Sequence, residues 1–160
     1  MFDQILGLPA HPLIVHFAVV LTPVLVAVAA VYALVPRWRP YVAWAVVLLS
    51  LAAPAAVYAA KESGESLKAA RFATADGELG ARISAHEGFA NPLLLSVLGL
   101  AAVSLLLVYV SRPARDSVGR DRFGRVTTLI LSGMTLVLAA VAGYYVFQAG
   151  DSGARAVWGM

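Results

Sequence analysis

Four stretches without a single Asp, Glu, Lys or Arg decide what this chain can become: Pro12 to Val35, Tyr41 to Ala60, Gly88 to Ser111 and Val126 to Ala149. A helix crosses a hydrocarbon core with about 20 residues, and each stretch reaches that length. Only 13% of the residues are charged and mean hydropathy is +0.81, far from the quarter charged that is usual in soluble domains. The sequence therefore predicts an all-α integral membrane protein: one domain over residues 1–160, a four-helix bundle running up, down, up, down, with helices near 12–35, 41–60, 84–111 and 126–149. The first apolar run is too long for a signal-peptide core and no basic segment precedes it, so it is expected to stay as a transmembrane helix. No lipidation motif is apparent.

The breaks between runs have distinct chemistry. Pro36-Arg-Trp-Arg-Pro40 reads as a tight turn that makes the first two helices antiparallel neighbours. Residues 61–83 form the longest polar connection, with a pattern of Leu67, Ala70 and Phe72 that predicts a helical extension at the membrane interface. Ser84-Ala-His-Glu87 fits a capping box opening the third helix. Pro23 and Pro92 fall inside apolar runs and are expected to bend them, and Pro54 lies close to the far end of the second run. Arg112 to Arg125 reads as a second short polar loop. No internal repeat or low-complexity tract stands out.

Basic residues sort the two sides. The first and third connections carry Arg37, Arg39, Arg112, Arg115, Arg120, Arg122 and Arg125 against two acids, whereas the other segments hold five Lys or Arg against seven acids. Arg-rich short loops mark the cytoplasmic side. Both termini and loop 61–83 are then expected outside, with Tyr144, Tyr145 and Trp158 near the outer interface and Trp38 near the inner. The positive net charge reflects this topology and carries no expectation of nucleic-acid binding; the expected location is the inner (plasma) membrane, multi-pass.

That topology gathers all three histidines, His11, His16 and His86, at the outer end, with Glu62, Glu65, Glu87 and Asp151 nearby. An imidazole inside hydrocarbon must find a partner, and ionisable groups there are functional by default. First and third helices are diagonal in such a bundle, so His16 and His86 are the expected pair holding a b-type haem between them. Five residues separate His11 from His16, about 140° around a helix, so both cannot face one axis; His11, beside Pro12, is weighed equally as a ligand and as a structural cap. The same residues admit a compact Zn, Fe or Cu site made of His16, His86, Glu65 and Asp151, although no HExxH-type motif supports it. Without cysteine, iron–sulfur clusters and thiolate sites are excluded.

Ala10-His-Pro-Leu-Ile-Val-His-Phe17, Ser63-Gly-Glu-Ser66, Ala85-His-Glu87 and Gly150-Asp-Ser-Gly-Ala154, taken in order, resemble the bacterial membrane proteins grouped as domain of unknown function 2231. The likeness covers nearly the whole chain. It implies a four-helix membrane protein; some members are joined to Rieske iron–sulfur domains, which implies electron transfer and a Rieske-type or other redox partner. The family's paired histidines fall on His11 and His16, its Gly-Glu on Gly64 and Glu65, and its His-Glu on His86 and Glu87. A histidine is usual where this chain has Asp151. The functional expectation is outer-sphere electron transfer without substrate chemistry, quinone oxidation being compatible with it. The alternative is a cofactor-free accessory subunit packed in a homo-oligomer or larger complex. A transporter is disfavoured, since neither matching halves nor a mid-membrane charge is visible.

Overall fold

A computed structural model describes residues 4–5, 8–74, 76–111 and 124–158. A two-residue antiparallel pair, β1 (Gln4–Ile5) and β2 (Leu8–Pro9), precedes α1 (Ala10–Leu34). A 3₁₀ turn over Pro36–Trp38 leads into α2 (Arg39–Arg71), followed by α3 (Gly77–Gly88), α4 (Ala90–Ser111) and α5 (Arg125–Trp158). Four stretches are long and apolar enough to span a membrane: α1, α2, α3 with α4, and α5. Their exposed faces carry Leu, Val, Phe and Tyr and are the surfaces that meet the lipid.

Packing follows the antiparallel order. Helix α1 lies against α2 and α5, α4 lies against the same two, and α1 and α4 face each other across the diagonal. An even number of crossings returns the chain to its starting side, so His11, Ser63, His86 and Ser152 share one end of the bundle. Arg39, Ser111 and Arg125 share the other.

Several boundaries depart from the sequence expectation. Helix α2 continues without interruption to Arg71 and α5 to Trp158, so most of the expected loop 61–83 and tail are helical projections of the spans. Ser84 caps nothing: α3 begins at Gly77 after Asp76 in extended conformation, and Ser84 sits within it. The break falls at Phe89 instead, three residues before Pro92, whose ring lacks an N–H and opposes the carbonyl of Gly88. Pro23 and Pro54, by contrast, are accommodated inside continuous helices. The expected loop Arg112 to Arg125 lies outside the described residues up to 123; Gly124, at φ +90°, then takes the left-handed turn into α5.

The core divides into two apolar clusters. One, toward the histidine end, centres on Leu25, Ala53, Val97, Leu100 and Ala142; the other, toward the arginine end, on Tyr32, Val46, Leu107 and Val110. Tyr32 donates to or accepts from Ser111 Oγ at 2.7 Å, and Arg39 lies over its ring at 5.5 Å while its Nε donates to the Tyr32 carbonyl at 3.0 Å. Arg39 thereby satisfies a carbonyl that the end of α1 leaves free. The hydroxyls of Thr22, Ser50 and Ser104 are buried and have no hydrogen-bond partner among the described residues.

Two substitutions on α4 separate these contributions. Leu100→Ala, at a fully buried position, is expected to cost about 2–4 kcal/mol through the cavity it leaves. Ser104→Ala removes an orphan hydroxyl and is expected to be neutral or stabilising by up to about 1 kcal/mol. Reversible unfolding of the bundle in bicelles by steric trapping measures both, with Leu95→Ala on the lipid face, expected within about 0.5 kcal/mol, as reference.

Candidate functional site: a matched pair of serine-anchored histidines

At the histidine end, two imidazoles are held in the same way. His11, at the start of α1, has Nδ1 3.0 Å from Ser63 Oγ on α2, and that hydroxyl donates to the Ala60 carbonyl of its own helix at 2.9 Å. His86, near the end of α3, has Nδ1 3.1 Å from Ser152 Oγ on α5, and Ser152 donates to the Ala149 carbonyl at 3.2 Å. Serine hydroxyls bond back to the preceding turn of a helix readily. Here that habit leaves a lone pair for a ring on the neighbouring helix.

The residue after each serine is glycine, and both glycines are crowded by the ring. A Cβ added to Gly64 would stand 3.0 Å from His11 Cε1, and one added to Gly153 would stand 3.1 Å from His86 Cε1. The Cε1 side of each imidazole thus comes close against bare backbone. Both rings are half-buried and lie at the same end of the bundle. Ala60 and Ala149 pack against the core cluster at the histidine end.

The structural correspondence exposes a sequence signal that the reading above missed. Val57-Tyr-Ala-Ala-Lys-Glu-Ser-Gly64 and Val146-Phe-Gln-Ala-Gly-Asp-Ser-Gly153 match at Val, Ala, Ser and Gly, with an aromatic and an acid conserved in kind between the two stretches. Each lies toward the histidine end of a helix that receives a histidine from the hairpin partner before it. The chain is therefore built of two similar hairpins, α1–α2 and α3/α4–α5, arranged about the bundle axis. Eight residues are too few to stand out from alanine-rich helices until geometry shows that both copies do the same work.

His16 takes a different place from the one expected. Its ring is exposed, and Nδ1 turns back to the Pro12 carbonyl of its own helix. The 140° between positions 11 and 16 lets only one of them face the neighbouring helices, and the serine and glycine on α2 select His11. The structure thus gives His11, rather than His16, the same serine and glycine seat as His86, at the same end of the bundle. Glu65 is exposed and pairs with Lys61 at 2.6 Å; Asp151 pairs with Arg155 at 2.8 Å. Glu87 forms an ion pair with Lys68 at 2.5 Å, tying α3 to the projecting end of α2 rather than capping a helix. The set His16, His86, Glu65 and Asp151 is not assembled: among the described residues no group of three or more His, Cys, Asp or Glu is placed to hold a metal ion. Tyr144 meets Tyr145 edge-on with centroids 5.3 Å apart, and Tyr144 is exposed on the lipid face, as an interfacial aromatic would be; the side chain of Trp158 lies outside the described ones.

A family model described as predicted membrane protein, DUF2231, matches residues 7–160. The chain belongs to that family. The match takes in both histidine–serine pairs and all four spans, in agreement with the resemblance carried by the His11, Ser63, His86 and Ser152 segments. No curated protein and no solved structure matches the chain.

In this DUF2231 protein, glycine substitutions test the seat of each ring. Gly150→Ala, where an added Cβ meets nothing, is expected to stabilise α5 by up to about 1 kcal/mol through helix propensity. Gly64→Ala and Gly153→Ala should forgo that gain and be destabilising, because the ring each would push is tied to a serine. Unfolding in bicelles of the three variants reads the difference.

Proposed function

We propose that the protein is a membrane-embedded electron-transfer protein in which His11 and His86 would hold a b-type haem. One observation carries this reading: two imidazoles from diagonal parts of the bundle are held at the same end by the same serine-to-carbonyl anchor through Nδ1, with no hydrogen bond to Nε2 of either ring among the described residues.

The number of donors favours haem over a bare ion. A structural zinc takes four protein ligands and a catalytic one three, whereas here two imidazoles come together, with Glu65 and Asp151 engaged by Lys61 and Arg155. A porphyrin brings four nitrogens of its own and asks the protein for two. Bound in this way, the iron would supply a one-electron carrier. The protein's part is to fix two neutral ligands in low dielectric and to exclude competing ligands with its apolar flanks.

The placement of Arg residues supports orientation with the histidine end outward and the arginine end in the cytoplasm of a cell with a plasma (inner) membrane: Arg37 and Arg39 lie at the opposite end from the acids Glu62, Glu65, Glu78 and Asp151. An outward haem near the surface suits exchange with an extracytoplasmic redox partner, such as a Rieske-type protein, directly or in a larger assembly.

Protein purified from a haem-competent host is expected to be red, with a reduced-minus-oxidised difference spectrum of a bis-imidazole haem. The spectrum should be lost in His11→Ala and in His86→Ala and kept in His16→Ala. Stoichiometric zinc, iron or copper without porphyrin absorption would replace this reading with a compact metal site. Colourless, metal-free protein would replace it with an accessory subunit.

A further inference from the structure

Ser63 and Ser152 do more than hold two rings in place. A serine hydroxyl has one hydrogen, and in both copies it is spent on the carbonyl three residues back, Ala60 or Ala149. The oxygen can then only accept from the imidazole nitrogen 3.0 or 3.1 Å away. Nδ1 must therefore carry the hydrogen on both His11 and His86, and Nε2 of both must keep its lone pair.

We infer that Ser63 and Ser152 are positioning residues that set the tautomer of His11 and His86, so that this end of the bundle presents two Nε2 lone pairs and takes an electron-pair acceptor, a Lewis-acidic metal centre, in preference to an anion. The inference deepens the haem reading and rests on it for the identity of that acceptor. The tautomer itself follows from the hydrogen-bond chain alone. Three features give it weight. The chain of ring, hydroxyl and carbonyl occurs twice with the same polarity, on two different helix pairs. The hydroxyl is fixed by its own helix, so it cannot reverse without abandoning the carbonyl. Gly64 and Gly153 bring each ring to within 3.0 and 3.1 Å of where a Cβ would be, so the ring is set against the backbone that carries the anchor. A hydrogen bond to the ring nitrogen opposite a metal is the usual device for orienting a ligating histidine and raising its basicity.

The test is ¹⁵N solid-state NMR of the full chain, labelled at histidine, in lipid bilayers at about pH 8, above the ordinary imidazole pKa of about 6.5. His16→Gln is used as background, because the Pro12 carbonyl sets the same tautomer on that ring. Both remaining rings are expected to show a protonated Nδ1 and an Nε2 without hydrogen, bare or metal-bound. In ligand-free protein Ser63→Ala should lower the Nδ1–H to Nε2–H ratio of one ring by about threefold to tenfold, and Ser152→Ala that of the other, the Ala60 or Ala149 carbonyl remaining as a weaker acceptor. Ser63→Thr should restore it and the exposed Ser66→Ala should change nothing. If protein is isolated with haem, each serine-to-alanine change should weaken haem retention by about tenfold or more. An Nε2–H tautomer in the parent, or ratios unmoved in both alanine variants, overturns the inference. Colourless protein with the expected tautomers would overturn the haem reading and leave the tautomer assignment standing.

Discussion

A polar group placed among hydrocarbon must be satisfied by protein, and the histidine end of this bundle is the outcome of that requirement. His11 and His86 sit where α1 and α3 enter the apolar layer, and each is met by a serine on the helix beside it. The serines are in turn met by their own backbone. Remove the carbonyl acceptors and the hydroxyls would be free to donate to the rings, which would reverse the polarity of both. The site is thus set by the backbone of α2 and α5, whose regular hydrogen bonding the membrane enforces.

The same economy shapes the opposite end. The last carbonyls of α1 have no partner within their helix, and Arg39, the first residue of α2, reaches back to Tyr32 and Ala33. One guanidinium serves as a cap, as a stacking partner for Tyr32 and as a topological marker. Between the two polar ends lie two apolar clusters, in which helix association depends on close fit, since lipid is as apolar as the side chains it replaces. Small residues such as Ala29, Ala53 and Ala142 permit that fit.

The near-equivalence of the two hairpins has a physical consequence. A single hairpin offers one serine-anchored imidazole. Two, packed with α1 and α4 on the diagonal, bring a second ring to the same end, and a bis-imidazole pair results from repeating one simple unit. The repeat is imperfect where the chain is interrupted: α3 and α4 together do what α1 does alone, because Pro92 forces a break just after His86. That break also frees α3 to lean on α5, where Ser152 waits.

Much of this is legible in the sequence. Charge-free runs fixed the number of spans, because hydrocarbon tolerates little else, and an up-down-up-down order of four spans put all three histidines at one end. What could not be read was which histidine turns inward. Residues 11 and 16 are equally histidine in sequence, and α1 carries apolar residues around its whole circumference, so no hydrophobic face announces the interior. Only packing against Ser63 and Gly64 chooses His11, leaving His16 to its own helix carbonyl. The capping box at Ser84 failed for a related reason: its letters suit a helix start, but the chain was already helical from Gly77, and the real interruption was dictated by the ring of Pro92. Local chemistry determined the spans and their order; the meeting of distant helices determined which imidazoles, serines and glycines are brought together.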